Sequence, residues 1–162
     1  MMSILFVCSL LLVLPGCKGA GSGRGHGEDI DPEGVFNDPL YERFEDGIRI
    51  TDVQFSSVLF SYDSFTVANS ETVKIERVAH YMRANPNVRL IVEGHCDERG
   101  SREYNMSLGE HRALAVRAYL ISHGINAQRI QTRSYGEERP VSHGHSESSW
   151  RLNRRGEFAL YR

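Results

Sequence analysis

The segment Val92-Glu-Gly-His-Cys-Asp-Glu-Arg-Gly-Ser-Arg-Glu-Tyr-Asn-Met-Ser-Leu-Gly-Glu-His-Arg-Ala113 joins an apolar run to a stretch of helical periodicity through a turn of glycine, serine and charged residues. Val88 to Glu93 is rich in β-formers and predicts a strand ending before Gly94. Met106, Gly109, Ala113, Val116 and Leu120 follow at alternating spacings of 3 and 4, which lays one apolar stripe along a helix. Gly124 then stands where a glycine C-cap belongs. A strand, a polar turn and an amphipathic helix in that order are the start of an α/β unit.

Outward from this unit the pattern repeats. Ile75, Val78, Ala79 and Met82 recur at helical spacing and Asn85-Pro86 supplies a stop, predicting a helix over 68–85. Val53 to Phe60, Ile130 to Ser134 and Arg155 to Tyr161 read as further strands, the last with Phe158 and Leu160 on one face. The order β-α-β-α-β-β predicts two main helices packed on a four-stranded mixed sheet. Strands joined through helices run parallel in it, and the last can join antiparallel. Ser142 to Ser149 reads as an irregular loop or short helix, and Tyr41 to Ile50 carries scattered apolar residues suited to packing on the domain.

Loops beyond the C-terminal ends of strands are where α/β sheets usually bind ligands, which singles out Asp97. Asn105 and Arg112 are seven residues apart, so they share one side of the second helix about 10 Å apart along its axis. An acid on the loop and a guanidinium on the helix suit the ammonium and carboxylate of a bound amino acid, each charge-assisted bond contributing about 1.5–3 kcal/mol. Pairing of these two side chains with each other is the more ordinary arrangement, and local chemistry alone does not displace it.

The N-terminal third has a different character. Met1 to Leu14 is apolar, too short to cross a bilayer and of the length of a secretory signal core. Leu14-Pro15-Gly16-Cys17 resembles the lipobox of bacterial lipoproteins, which predicts a signal peptide over 1–16 and diacylation at Cys17; cleavage elsewhere as an ordinary signal peptide is the alternative. Burial of acyl chains contributes about 0.8 kcal/mol per CH2, so a multiply acylated Cys17 stays anchored. Lys18 stands where an Asp would resemble an inner-membrane retention signal, which favours the outer membrane. Lys18 to Gly27 alternates glycine with small or polar residues, and acidic, proline-containing sequence continues to about Pro39. This predicts a linker over 17–52, with a typical span of roughly 33 Å as a flexible coil, before a folded domain over 53–162.

The motif Gly94-His95-x-Asp97 followed by Asn105-x-x-Leu108-x-x-x-Arg112-Ala113 resembles the OmpA-like peptidoglycan-binding domains, and the fuller run through Glu98-Arg99-Gly100 resembles the peptidoglycan-associated lipoproteins of the Tol-Pal system. Asn153-Arg154-Arg155 and Ser134-Tyr135-Gly136-Glu137 with Pro140 match further motifs of that family, so the resemblance covers roughly residues 58–162. It implies that Asp97 binds the ammonium of diaminopimelate in the wall's stem peptide and Arg112 its carboxylate. Asn105 and Leu108 would line that pocket, Phe60 would supply the strand-end aromatic, and Arg154 would support the site. Ser61 stands where the family commonly has Asp, so it offers no carboxylate at that rim. The implied role is an outer-membrane lipoprotein, lipid-anchored on the periplasmic face, that links membrane to wall without catalysis. It would work with the periplasmic propeller protein of the Tol system in envelope integrity and cell division. The alternative is a wall-anchored lipoprotein serving another envelope machine or adhesion.

Composition and motif content weigh against other functions. With 19 Lys and Arg against 21 Asp and Glu, the net charge of -2 creates no positive field for nucleic acid. His95, Cys96 and Asp97 are consecutive and no CxxC pair exists, which disfavours a metal centre; Cys96 reads as a small packed residue and His95 as a hydrogen-bonded turn residue. Acylation of Cys17 would leave Cys96 without an intrachain disulfide partner after cleavage. There is no GxSxG elbow, and no cofactor is expected.

Overall fold

The computed structural model describes residues 44–162; the expected signal peptide over 1–16, Cys17 and the expected linker as far as residue 43 lie outside the described residues. Among the described residues four strands form one sheet: β1 (Val58–Leu59), β2 (Arg89–His95), β3 (Ile130–Gly136) and β4 (Arg155–Tyr161). Three helices accompany them, α1 (Asn69–Ala84), α2 (Arg102–Ser122) and α3 (Glu147–Asn153). The spatial order is β1-β4-β2-β3, with β4 inserted antiparallel between β1 and β2, and β2 parallel to β3. This is the mixed α/β sheet expected from the pattern, and α3 begins within the stretch that read as an irregular loop or short helix and continues past it.

The period of two along the strands sorts the two faces. Leu90, Val92 and Leu160 pack with Ile75, Val78, Ala79 and Met82 of α1 and with Ala113, Val116 and Leu120 of α2 in the main core. On the opposite face Ile91, Ala159 and Tyr161 enclose Phe44, which arrives on a short 3-10 turn, Phe44–Asp46. That contact realises the expected packing of the segment before Ile50.

The first strand is much shorter than the predicted 53–60. Ile48 and Ile50 already bond the C-terminal part of β4's edge: Ile48 N–H donates to Arg162 O at 2.9 Å and Ile50 N–H to Leu160 O at 2.8 Å. Only Val58 and Leu59 pair further along, opposite Gly156 and Arg155. The intervening apolar residues pack through side chains instead, Phe55 lying edge-on to Tyr81 and Phe158 at centroid distances of 5.6 and 6.4 Å.

Two features aim the site. A Cβ on Gly94 would lie 1.9 Å from Gly109 O, and one on Gly109 would lie 2.2 Å from Ser134 Oγ. The backbone of α2 therefore rests on the end of β2 at a distance only paired glycines permit. The β2–β3 register then shifts between Gly94 and His95, so that His95 pairs with Gly136. Ser101, whose Oγ accepts from Tyr104 N–H at 3.2 Å, caps α2 and ends the loop.

Candidate functional site

Residues 96–100 leave β2 and reach the cap of α2, forming one wall of a pocket of about 220 Å³. Tyr62, Asp63, Cys96, Asp97, Arg99 and Gly100 line it, with Tyr104, Asn105, Leu108 and Arg112 from α2, and Arg154. Five of the six residues singled out from sequence thus converge here. Phe60 stands one layer behind, with the Arg112 guanidinium 5.3 Å above its ring.

Asp97 and Arg112 do not pair with each other. Arg112 is fully buried and donates to Ser64 O at 2.9 Å, His95 O at 2.8 Å and Ser61 O at 3.2 Å, with Cys96 Sγ 3.3 Å away. A positive charge is held by carbonyl dipoles rather than by a carboxylate, and burial pulls the guanidinium below its ordinary value. The side chain also ties the loop after β1 to the end of β2, a structural part the sequence did not reveal.

Asp97 is equally buried. Its Oδ1 accepts from Arg99 N–H and Nε at 3.1 Å, and its Oδ2 from Arg99 Nη2 at 2.7 Å and Arg154 Nη1 at 3.0 Å. Burial alone would raise this carboxyl, but the hydrogen bonds from Arg99 and Arg154 outweigh it and hold it below the usual range. Its stabilising contribution is therefore complete above the unfolded value, about 3.9, and is lost as pH falls through the lower folded value. In thermal melts between pH 7 and pH 3, the stability gap between wild type and Asp97→Asn should hold near neutrality and begin to narrow below about pH 4; a gap independent of pH would refute this protonation linkage.

The remaining motif residues hold this arrangement. Asn105 Nδ2 donates to Asp97 O and Arg99 O at 3.3 Å and to Glu137 Oε2 at 2.5 Å, clamping the loop from within the helix. Arg154 bonds Phe60 O at 3.1 Å and Glu147 Oε1 at 2.6 Å besides Asp97, joining three segments. Asn153 receives Val141 N–H and Ser142 N–H at 2.9 and 3.0 Å, while Arg155 Nη2 reaches Arg139 O at 3.0 Å. Gly136, at φ 49°, allows its carbonyl to receive Cys96 N–H at 2.7 Å.

Cys96 is indeed packed behind the loop, its thiol donating to Asn105 O at 3.3 Å and pushed up to about 11 by burial. His95 is not a hydrogen-bonded turn residue: it ends β2, lies buried, and neither ring nitrogen has a hydrogen-bond partner among the described residues. The β-bulge turns its ring onto Tyr135, stacked at 5.4 Å. Glu93, His95 and Glu157 place one ligand atom each within 4.8 Å of one another, but Arg155 Nε already bonds Glu157 at 2.5 Å and Arg49 and Arg139 face the same group. The cluster's negative charge is thus answered by guanidiniums.

Sequence reasoning missed Tyr62, Asp63, Arg99 and Tyr104 as pocket-lining residues. Arg99 lies within the recognised motif, yet nothing in linear order shows its guanidinium folding back on Asp97, 4.1 Å from the Tyr62 ring and 4.0 Å from that of Trp150. Trp150 is the chain's one tryptophan, which is the signal that was available.

The family model described as "OmpA family" matches residues 59–154. The chain belongs to the OmpA family. Within this family it resembles a protein of Legionella pneumophila named peptidoglycan-associated lipoprotein, with 38% identity over 161 residues, covering 95% of this chain and 91% of that protein. The crystal structure of the peptidoglycan-associated lipoprotein from Burkholderia pseudomallei superposes with a TM-score of 0.63 at 36% identity, over 67% of this chain and 91% of that one. The C-terminal domain of Helicobacter pylori MotB shares the fold at 24% identity and a TM-score of 0.62, over 66% and 84% of the two chains. The OmpA-family fold thus accounts for the three helices and the four-stranded mixed sheet.

Proposed function

We propose that this chain is an outer-membrane lipoprotein, anchored through Cys17, whose domain binds the peptidoglycan stem peptide non-covalently. The observation that carries this reading is the convergence of Asp97, Asn105, Leu108 and Arg112 on one pocket at the motif positions. Asp97 receives the ammonium of diaminopimelate and Arg112 directs its buried positive charge at the carboxylate. Asn105 fixes the loop that carries Asp97, Leu108 gives the apolar floor, and Phe60 and Arg154 hold the two charges in place. The names of the relatives support the assignment to the wall.

Binding rather than bond cleavage fits a site whose Asp97 carboxylate already accepts four hydrogen bonds, which leaves it no free lone pair to act as a base. Through the linker, membrane and wall are joined, and the chain serves the Tol-Pal system by exchanging between wall and periplasmic propeller protein. Crosslinking in native envelopes tests the last step; capture of a different envelope machine in place of the propeller protein would replace it.

Cosedimentation of the detergent-solubilised full chain with purified sacculi tests the pocket. Asp97→Asn keeps shape while removing charge and should weaken binding at least about tenfold, the equivalent of 1.4 kcal/mol. Undiminished pelleting of a folded Asp97→Asn variant would overturn the assignment.

A further inference from the structure

The pocket that would receive an ammonium already holds a cation of the protein's own. A carboxylate offers about four lone-pair positions, and Asp97 has four donors on it, three from Arg99 and one from Arg154. A ligand ammonium cannot bond Asp97 at full strength until one of these leaves. Arg154 is not the one to leave, because it is 4% exposed and pinned by Phe60 O and Glu147.

Arg99 has somewhere to go. Its side chain is 29% exposed, and the nearest oxygen of the exposed Glu147 stands 3.6 Å from its Nη2. Its guanidinium lies between two aromatic faces, Tyr62 at 4.1 Å and Trp150 at 4.0 Å. Such a slot retains a planar cation by cation–π attraction while leaving it free to slide in its own plane. We propose that Arg99 is an internal competitor for the ligand's ammonium, moving along the Tyr62–Trp150 slot from Asp97 to Glu147 when diaminopimelate binds, and that it thereby sets the affinity of the site. Arg99 is a positioning residue here: it keeps the Asp97 carboxylate charged and oriented in the empty pocket and yields to the incoming ammonium. This inference rests on the proposed wall-binding function.

Calorimetric titration of the full chain in detergent with the soluble tripeptide L-Ala-γ-D-Glu-meso-diaminopimelate tests it. Arg99→Gln removes the competing charge but keeps the backbone N–H bond to Asp97, and should bind at least about threefold more tightly than wild type; Arg99→Lys, still cationic, should stay near wild type. A purely structural Arg99 would give weaker binding in both. Glu147→Gln, at an exposed position, weakens the alternative berth and should lower affinity, which keeps the test open even if Arg99→Gln fails to fold. Wild-type binding with unchanged or weaker binding by folded Arg99→Gln overturns the competitor while leaving the pocket intact, as does unchanged affinity in Glu147→Gln where Arg99→Gln does not fold. Absence of binding by wild type overturns the wall-binding function, and the competitor with it.

Discussion

Arg112→Ala should destabilise the domain by about 3 kcal/mol or more, because it strips the donor from the buried carbonyl of His95 and removes the partly buried bonds to Ser61 O and Ser64 O at once. In a domain of this size that corresponds to a fall in Tm of roughly 10 °C or more. The loss would combine unsatisfied acceptors with a cavity beneath Phe60, whose ring packs 5.3 Å from the guanidinium. Thermal melts of the two proteins decide it; a variant melting within a few degrees of wild type would show that these carbonyls find other donors. The expectation bears on how wall binding is measured. Arg112→Ala loses affinity through unfolding as well as through missing charge, so Asp97→Asn is the cleaner probe.

Gly94→Ala should be comparably severe for a different reason. The added methyl would sit 1.9 Å from the carbonyl oxygen of Gly109, a backbone atom that moves only if α2 lifts from the sheet. Overpacking of this kind costs typically 1–3 kcal/mol and more where no side chain can yield, so we expect at least about 3 kcal/mol in denaturant unfolding. Gly109→Ala should be milder, since its clash is with Ser134 Oγ at 2.2 Å, a hydroxyl that can rotate or be removed. Adding Ser134→Ala should restore much of the stability of Gly109→Ala and none of that of Gly94→Ala. Equal costs for the two glycine variants, or rescue of both, would show that the helix is not held where these contacts place it.

The sequence made the elements legible wherever one period ruled. The apolar stripe from Met106 to Leu120 was legible because it presents a single face to a single core, and the strand from Arg155 to Tyr161 because Phe158 and Leu160 alternate with residues of the opposite face. The first strand misled because Val53 and Phe55 are apolar for side-chain packing, while β4's edge was partly occupied by Ile48 and Ile50, a competition invisible in local pattern. At the site, the motif residues could be placed by resemblance, but their partners could not. Asp97 finds Arg99 through a tight local turn and Arg154 across 57 positions, and which guanidinium meets which acceptor follows from the sheet order. His95 shows the limit most clearly: its residue type suggested a polar turn, whereas one irregularity in strand pairing buries it.

The way Ile48 and Ile50 lie along β4 has a mechanical consequence. The chain enters the sheet beside Leu160 and Arg162, opposite the start of β2, while the pocket opens at the far end of β2, about 20 Å away at the rise of an extended strand. In the proposed role, with the N-terminus held at the membrane and the pocket at the wall, tension would run lengthwise through β4 and β2. Their ladder is then loaded in shear, many bonds sharing the pull together instead of opening one after another. Resistance to such a load is governed by how fast the domain opens rather than by how stable it is at rest, so a domain of ordinary stability in this orientation can serve as a durable coupling between membrane and wall.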